Sequence, residues 1–408
     1  MFFVSTYCFA QVKITGRIID EKTNEGIRGV SVYLNNSTYG TETNENGDFA
    51  FNCILTGKTS LIISHVSYER KVYLIEDGKV ENLSFSLKPQ TNNLSEVIIK
   101  SKHNKANLTK WINLFSENLI GVYDHSISKC KLKNPEALYF DYDKTENDLK
   151  IYAKETIVIE NAFLNYKIKI DLDQFEYNFN NNEIIFKYFV FYEELPTRMF
   201  SGSQIRKNRK MAYEGSTMHF MRAVFKNNLE TEGFEIYKYT AVRNLEKERV
   251  GGIIRRKMAD AYAKEEFPDV TLSRFFKSDT LRYYQGIMKQ DEFLKFNVSK
   301  ATASEFTMKN RRTRTVNFNF ADTLLVRYDK TKFNNEEKLA AASENNKDKP
   351  NMIKPVYLKT YLYFFKEGGI NIENNGHYAE LSLFMYGDMP ERRIGISLPY
   401  DYNPDKVL

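Results

Sequence analysis

Tryptophan, cysteine and histidine are scarce in this sequence, with one, three and five residues among 408. The few histidines restrict metal chemistry. One short spacing, His377-Tyr378-Ala379-Glu380, matches a zinc-binding pair. A zinc carboxypeptidase also needs a distant later histidine, an arginine for the substrate carboxylate and a glutamate base. No histidine follows His377 and no His-Glu-x-x-His occurs, so that chemistry is excluded. The Gly-x-Ser-x-Gly elbow of serine hydrolases is also missing. No apolar run approaches the ~20 residues of a membrane helix. Charge of one sign is not concentrated either. A net +6 over this length is mildly basic and does not point to nucleic acid.

Aromatics are abundant, with 27 tyrosines and 30 phenylalanines, and this favours β-structure. From Val12 to Leu87 short runs alternate apolar and polar residues. Successive side chains in a strand face opposite ways, so each run offers one apolar face to a common core. Val12, Ile14 and Ile18 form one such face, followed by Val30, Val32 and Leu34, then Phe49 and Phe51. Leu61 and Ile63, Val72 and Leu74, and Leu83, Phe85 and Leu87 complete the series. Between them lie turn formers such as Asn35-Asn36-Ser37 and Asn46-Gly47-Asp48. Six or seven strands in this span predict an antiparallel β-sandwich over residues 11–88.

Residues 1–10 end Cys-Phe-Ala before Gln11 and read as the remnant of a secretory signal peptide. Removing them leaves Cys53 and Cys130, which could pair in an oxidising compartment. Residues 89–107 read as a linker containing a short strand at Leu94–Ile99. Residues 108–408 read as a larger β-rich α+β domain, so the chain as a whole is mainly β. Leu108, Trp111, Ile112 and Phe115 recur at helical spacing. Strands are expected at 149–157, 166–172, 184–191 and 357–365, with others over 293–328 and 380–385. A second helix is expected over 215–227 with Ser216 as N-cap, and a third over 245–264. Residues 336–350 read as a loop.

Several segments carry a family resemblance. Gly16-Arg17-Ile18-Ile19-Asp20, Gly29-Val30-Ser31-Val32, Gly40-Thr41-Glu42-Thr43-Asn44, Gly47-Asp48-Phe49 and Ile63-Ser64-His65-Val66-Ser67-Tyr68 resemble the carboxypeptidase regulatory-like domain. Ser67 stands where that family usually has glycine. The resemblance implies a prealbumin-like, carbohydrate-binding-like sandwich, found in bacterial envelope proteins including TonB-dependent receptors. Tyr213-Glu214-Gly215-Ser216-x-x-His219-Phe220-x-Arg222 and Leu398-Pro399-Tyr400-Asp401-Tyr402 are similar to an uncharacterised domain that follows it in such proteins. No activity comes with either resemblance.

Arg209, Tyr213, Ser216, His219 and Arg222 form the candidate ligand site, because Ser216, His219 and Arg222 lie three apart on one helix face. A hydrolase centred on Ser216, His219 and Arg222 is the catalytic alternative, and an accessory role in TonB-dependent uptake is another. Asn44, Asn46 and Asp48 read as a turn and not as a calcium loop. Arg206-Lys207-x-Arg209-Lys210 and Arg311-Arg312-x-Arg314 read as solvated basic faces. The expectation is a non-enzymatic exported protein of the periplasm or outer membrane. It uses no cofactor or metal, binds a glycan or an envelope protein, and does not bind nucleic acid.

Overall fold

A computed structural model describes residues 11–55, 58–75, 80–90, 105–121, 129–180, 183–263, 275–290, 293–329 and 357–405. The expected leader, the Leu94–Ile99 strand and the 336–350 loop lie outside the described residues.

Two small sheets form the first layer pair. Strand β1 (Gln11–Asp20) lies between β4 (Asp48–Ile54) and β7 (Leu83–Leu87). Facing it is a sheet in the order β3 (Gly40–Glu42), β2 (Ser31–Leu34), β5 (Thr59–His65) and β6 (Tyr68–Ile75). Ile14, Ile18, Val32, Leu61 and Ile63 are fully buried between the sheets. Burial at ~25 cal/mol per Å² of apolar surface is what holds such a pair of sheets together. The sandwich is therefore real, with two corrections. The β1–β7 pair is parallel, because the last strand returns to close the sheet beside the first. Val72 and Leu74 point outward and are about half exposed. Leu61 pairs with Tyr73 and Ile62 with Val72, so Tyr73 and Ile75 face the core instead.

The remainder of the chain is β-rich with helices, and it contains two further cores. The first belongs to a six-stranded sheet of β8 (Cys130–Leu132), β9 (Leu138–Asp143), β10 (Asp148–Ala153), β11 (Ile157–Asn161), β12 (Tyr166–Asn178) and β13 (Glu183–Glu194). Helix α1 (Lys105–Ile120) lays Trp111 and Phe115 against Phe140 and Phe175 of that sheet. The single strand expected over 149–157 is two strands. Both β10 and β11 pair with the long β12, at opposite ends of it, and the chain turns between them at residues 154–156.

Helices α2 (Gly202–Tyr213) and α3 (Thr217–Lys226) then connect to the second of these cores. It packs Phe220, Met221 and Val224 of α3 against a five-stranded and a three-stranded sheet. The five-stranded sheet runs β15 (Phe293–Ala301), β14 (Phe234–Arg243), β18 (Thr323–Asp329), β19 (Tyr357–Phe364), β21 (Leu383–Gly387). The three-stranded one runs β16 (Thr307–Asn310), β17 (Thr315–Phe318), β20 (Ile370–Ile372). Helices α4 (Leu245–Ala263) and α5 (Ser278–Met288) lie between β14 and β15 in sequence. Gly215, between α2 and α3, has φ +70°, and a Cβ there would meet the Tyr328 ring at 2.6 Å. Only glycine suits both constraints. No helix among the described residues is long and apolar enough to cross a membrane.

The sandwich docks on β13. Asn36 N–H donates to Val190 O at 2.7 Å and Tyr192 N–H to Ser37 O at 3.0 Å, so the 35–37 loop extends the strand edge. Tyr33 stacks on Phe191 with ring centroids 5.1 Å apart and donates to Asp171 at 2.5 Å. Ile62 is buried with Tyr33 and Phe191, so this sheet is covered on both faces. Gly40 is needed for the approach, because a Cβ there would meet Phe191 at 2.8 Å. The C-terminal segment then covers the same loop. Tyr400 N–H donates to Asn36 O, and Asp401 accepts from the Thr38 N–H and hydroxyl.

Candidate functional site

Loop 35–38 thus forms one wall of a cleft of about 410 Å³. The sandwich contributes Asn35, Tyr39, Lys58 and Thr59 to it. Helix α3 contributes Arg222 and Lys226, the 374–377 turn contributes Asn374, Asn375 and His377, and the C-terminal segment contributes residues 400–405. Burial is the leading cause that pushes both the Tyr400 and Tyr402 hydroxyls up to about 12, so both stay protonated near neutrality. Each presents an apolar ring and a hydroxyl.

Of the five residues chosen from sequence, Tyr213 and Arg222 line this cleft. Arg222 supports the wall and does not reach into the space. Its Nε donates to Asn375 O at 2.9 Å, and its Nη atoms donate to Tyr402 O at 2.9 Å and Tyr400 O at 3.0 Å. A planar fork of donors suits three carbonyls better than any lysine could. The guanidinium also lies 5.4 Å from the Tyr213 ring centre.

Ser216 and His219 are on α3 as expected, but they do not form a nucleophile and base. Ser216 Oγ accepts from the His219 backbone N–H at 3.1 Å, which is the N-cap bond. His219 Nδ1 accepts from Gly215 N–H at 3.1 Å, so Nε2 carries the proton and donates to Glu232 at 3.0 Å. Tyr213, Phe234 and Tyr328 surround the ring. Burial lowers the His219 pKa, and the Glu232 carboxylate opposes that shift. Ser216 instead lines a separate pocket of about 160 Å³ with Arg392 and Tyr378.

Arg209 lies elsewhere and is 2% exposed, so its part of the basic run is not a solvated face. It donates to Leu164 O and Glu194, each at 2.8 Å, and sits 3.9 Å from the Tyr166 ring centre. Arg312 and Arg314, by contrast, are exposed.

The other sequence motifs resolve into local structure. Asn44 Oδ1 accepts from the Asn46 and Asp48 backbones, which makes a turn. Glu380 accepts from Asn371 while His377 faces Glu373 at 3.8 Å, so the His-x-x-Glu pair is not convergent. Cys53 and Cys130 are free thiols belonging to different cores. Burial pushes them up to about 11 and about 12 respectively.

Asn35, Tyr39, Asn375 and Asn403 were missed as site residues. Their signal was a recurrence of asparagine and tyrosine at 35–39, 374–378 and 400–403, three stretches far apart in the chain.

Comparisons with known proteins bear mainly on the sandwich. Two solved structures are similar in part. A 9R-lipoxygenase from Cyanothece PCC8801 is 10% identical, with 53% of this chain and 48% of that one covered, at a TM-score of 0.15. The present chain thus spans about half the length of that lipoxygenase. A candidate carbohydrate binding protein from Bacteroides uniformis is 11% identical, with 45% and 79% covered, at a TM-score of 0.13. Scores this low carry no argument about fold or activity. No curated protein matches the chain. The model of one domain family, the CarboxypepD_reg-like domain, matches residues 14–99, so the sandwich at the front of this chain is a CarboxypepD_reg-like domain.

Proposed function

We propose that this is a non-enzymatic binding protein of the bacterial cell envelope whose ligand is a glycan held in the cleft beside loop 35–38. One observation carries the reading. Three separate stretches bring tyrosines and asparagines to one concave surface. Ring faces stack on sugars at little entropic cost, and amides hydrogen-bond to hydroxyls. The binding reading is favoured over a hydrolase because Ser216 Oγ serves as a cap and both ring nitrogens of His219 are engaged. Export is supported by the apolar leader and by the family resemblance.

A glycan array probed with the purified protein and with Asn403→Trp tests the site. Asn403 is exposed and lines the cleft, so a bulky ring there fills the space without disturbing a core. Array signals should appear for the wild type and drop at least tenfold for the variant. An array that stays blank, or signals that survive the substitution, would remove the cleft as a glycan site. Fractionation of cells expressing the full chain tests location, and retention in the cytosol would refute export.

A further inference from the structure

The polar groups facing the cleft are not evenly divided between donors and acceptors. Asn35 Oδ1 accepts from Val190 N–H at 2.9 Å, Asn375 Oδ1 from His377 N–H at 2.9 Å, and Asn403 Oδ1 from Asp405 N–H at 3.0 Å. These bonds fix the orientation of all three amides. In each case the oxygen is used by the protein backbone and the Nδ2 group remains as a donor. Asp401 accepts from the Thr38 N–H on one oxygen and from the Thr38 hydroxyl on the other. Lys58, Arg222 and Lys226 line the cleft as cations, against the carboxylates of Asp401 and Asp405.

We infer that the cleft selects an acidic sugar, a glycan bearing carboxylates such as a uronate oligosaccharide, over a neutral one. The inference rests on the glycan reading above and makes it specific. A neutral sugar offers hydroxyls that donate as well as accept, and the N–H groups of the three oriented amides meet only the accepting half of that capacity. A carboxylate only accepts, and hydrogen bonds to an ionised partner are about twice as strong as neutral ones. The asparagine donors and the lysine charges favour the same ligand group. Asp405 is placed to accept from a hydroxyl of the same sugar.

The test uses the full chain and two probes, trigalacturonate and maltotriose, measured by calorimetry at low and at physiological salt. Asn403→Asp is the deciding variant. A carboxylate in that position still accepts the Asp405 N–H, but it turns the donor end into an anion. Trigalacturonate should bind the wild type at least tenfold more tightly than maltotriose, and more weakly as salt rises. Asn403→Asp should cut that binding at least tenfold, a clearly larger factor than it costs maltotriose, which loses a donor but meets no like charge. Lys226→Gln should reduce it by a smaller factor and flatten the salt dependence. Thermal melts of both variants separate a local effect from loss of fold. Equal binding of the two sugars, or indifference to Asn403→Asp in a folded variant, overturns the acidic preference and leaves the glycan reading standing. If neither sugar binds and the array is blank as well, the glycan reading fails and the preference fails with it.

Discussion

The sandwich and the six-stranded sheet behind it are both antiparallel in the main, yet they are organised differently. In the sandwich, neighbours such as β5 and β6 meet across two residues, and the core is drawn from residues 12–87. In the second region the core of β8–β13 also takes in Trp111 and Phe115 from earlier in the chain and Ile394, Ile396 and Leu398 from its far end. Asn161 Nδ2 donates to Gly395 O across 234 positions of sequence. The first region is thus defined by local pairing, and the second by segments that must arrive from far along the chain.

Three measurements press on that contrast, and Trp111 is a convenient reporter. It is the sole tryptophan, is 5% exposed and sits in the second region, so its emission follows that core and not the sandwich. The largest effect is expected from Arg209→Ala, which removes a buried cation from between Leu164, Glu194 and the Tyr166 ring. It should cost about 3 kcal/mol in urea unfolding followed at Trp111. A loss under about 1 kcal/mol would mean that the buried arginine does not organise this core. A smaller effect is expected from Tyr33→Phe, which deletes the hydroxyl bonded to Asp171 across the junction and leaves the ring on Phe191. The expected cost is about 1 kcal/mol, with circular dichroism and Trp111 transitions drawing apart as the two regions uncouple. Transitions that stay superimposed with no shift would show that this bond contributes nothing to docking.

The mildest effect is a pH dependence from His219. Its folded pKa lies below the ordinary 6.5 because burial disfavours the imidazolium. The unfolded chain therefore binds the proton more readily below that pH, and stability should fall as pH drops from about 6.5 toward the depressed value. His219→Gln should make the acid side of a melting-temperature profile shallower. An unchanged slope would assign the acid sensitivity to other groups.

The same contrast governs what was legible in advance. Alternation located β1, β2, β4, β5 and β7 because a half-buried strand shows its two faces in the residue pattern. It failed for Val72 and Leu74, where both faces of the sheet carry apolar residues and only the pairing of Leu61 with Tyr73 decides which is inside. It merged β10 and β11 because the turn at 154–156 lacks glycine and proline. The α3 helix and its Ser216 cap were readable from local spacing, and Arg222 of that helix lies in the cleft lining. The partners of Arg222, the carbonyls of Asn375, Tyr400 and Tyr402, were not readable, since a main-chain acceptor leaves no mark on residue type. The cleft was illegible for the same reason. Its walls come from positions near 35, 58, 222, 375 and 402, and nothing in any one stretch indicates the others.

Loop 35–38, held between β13 and residues 400–401, sets a timetable. The loop and its sandwich leave the ribosome early, while the wall opposite is translated more than 350 positions later. Until residues 400–405 arrive and Arg222 fastens them, a nascent chain can complete its front strands and still have no enclosed space for a ligand. A nick just upstream of that strip would release the wall while sparing most of the three cores. Such a cleaved form would keep most of its packed interior and lack the 400–405 wall of the cleft, so intact length deserves checking in any binding assay.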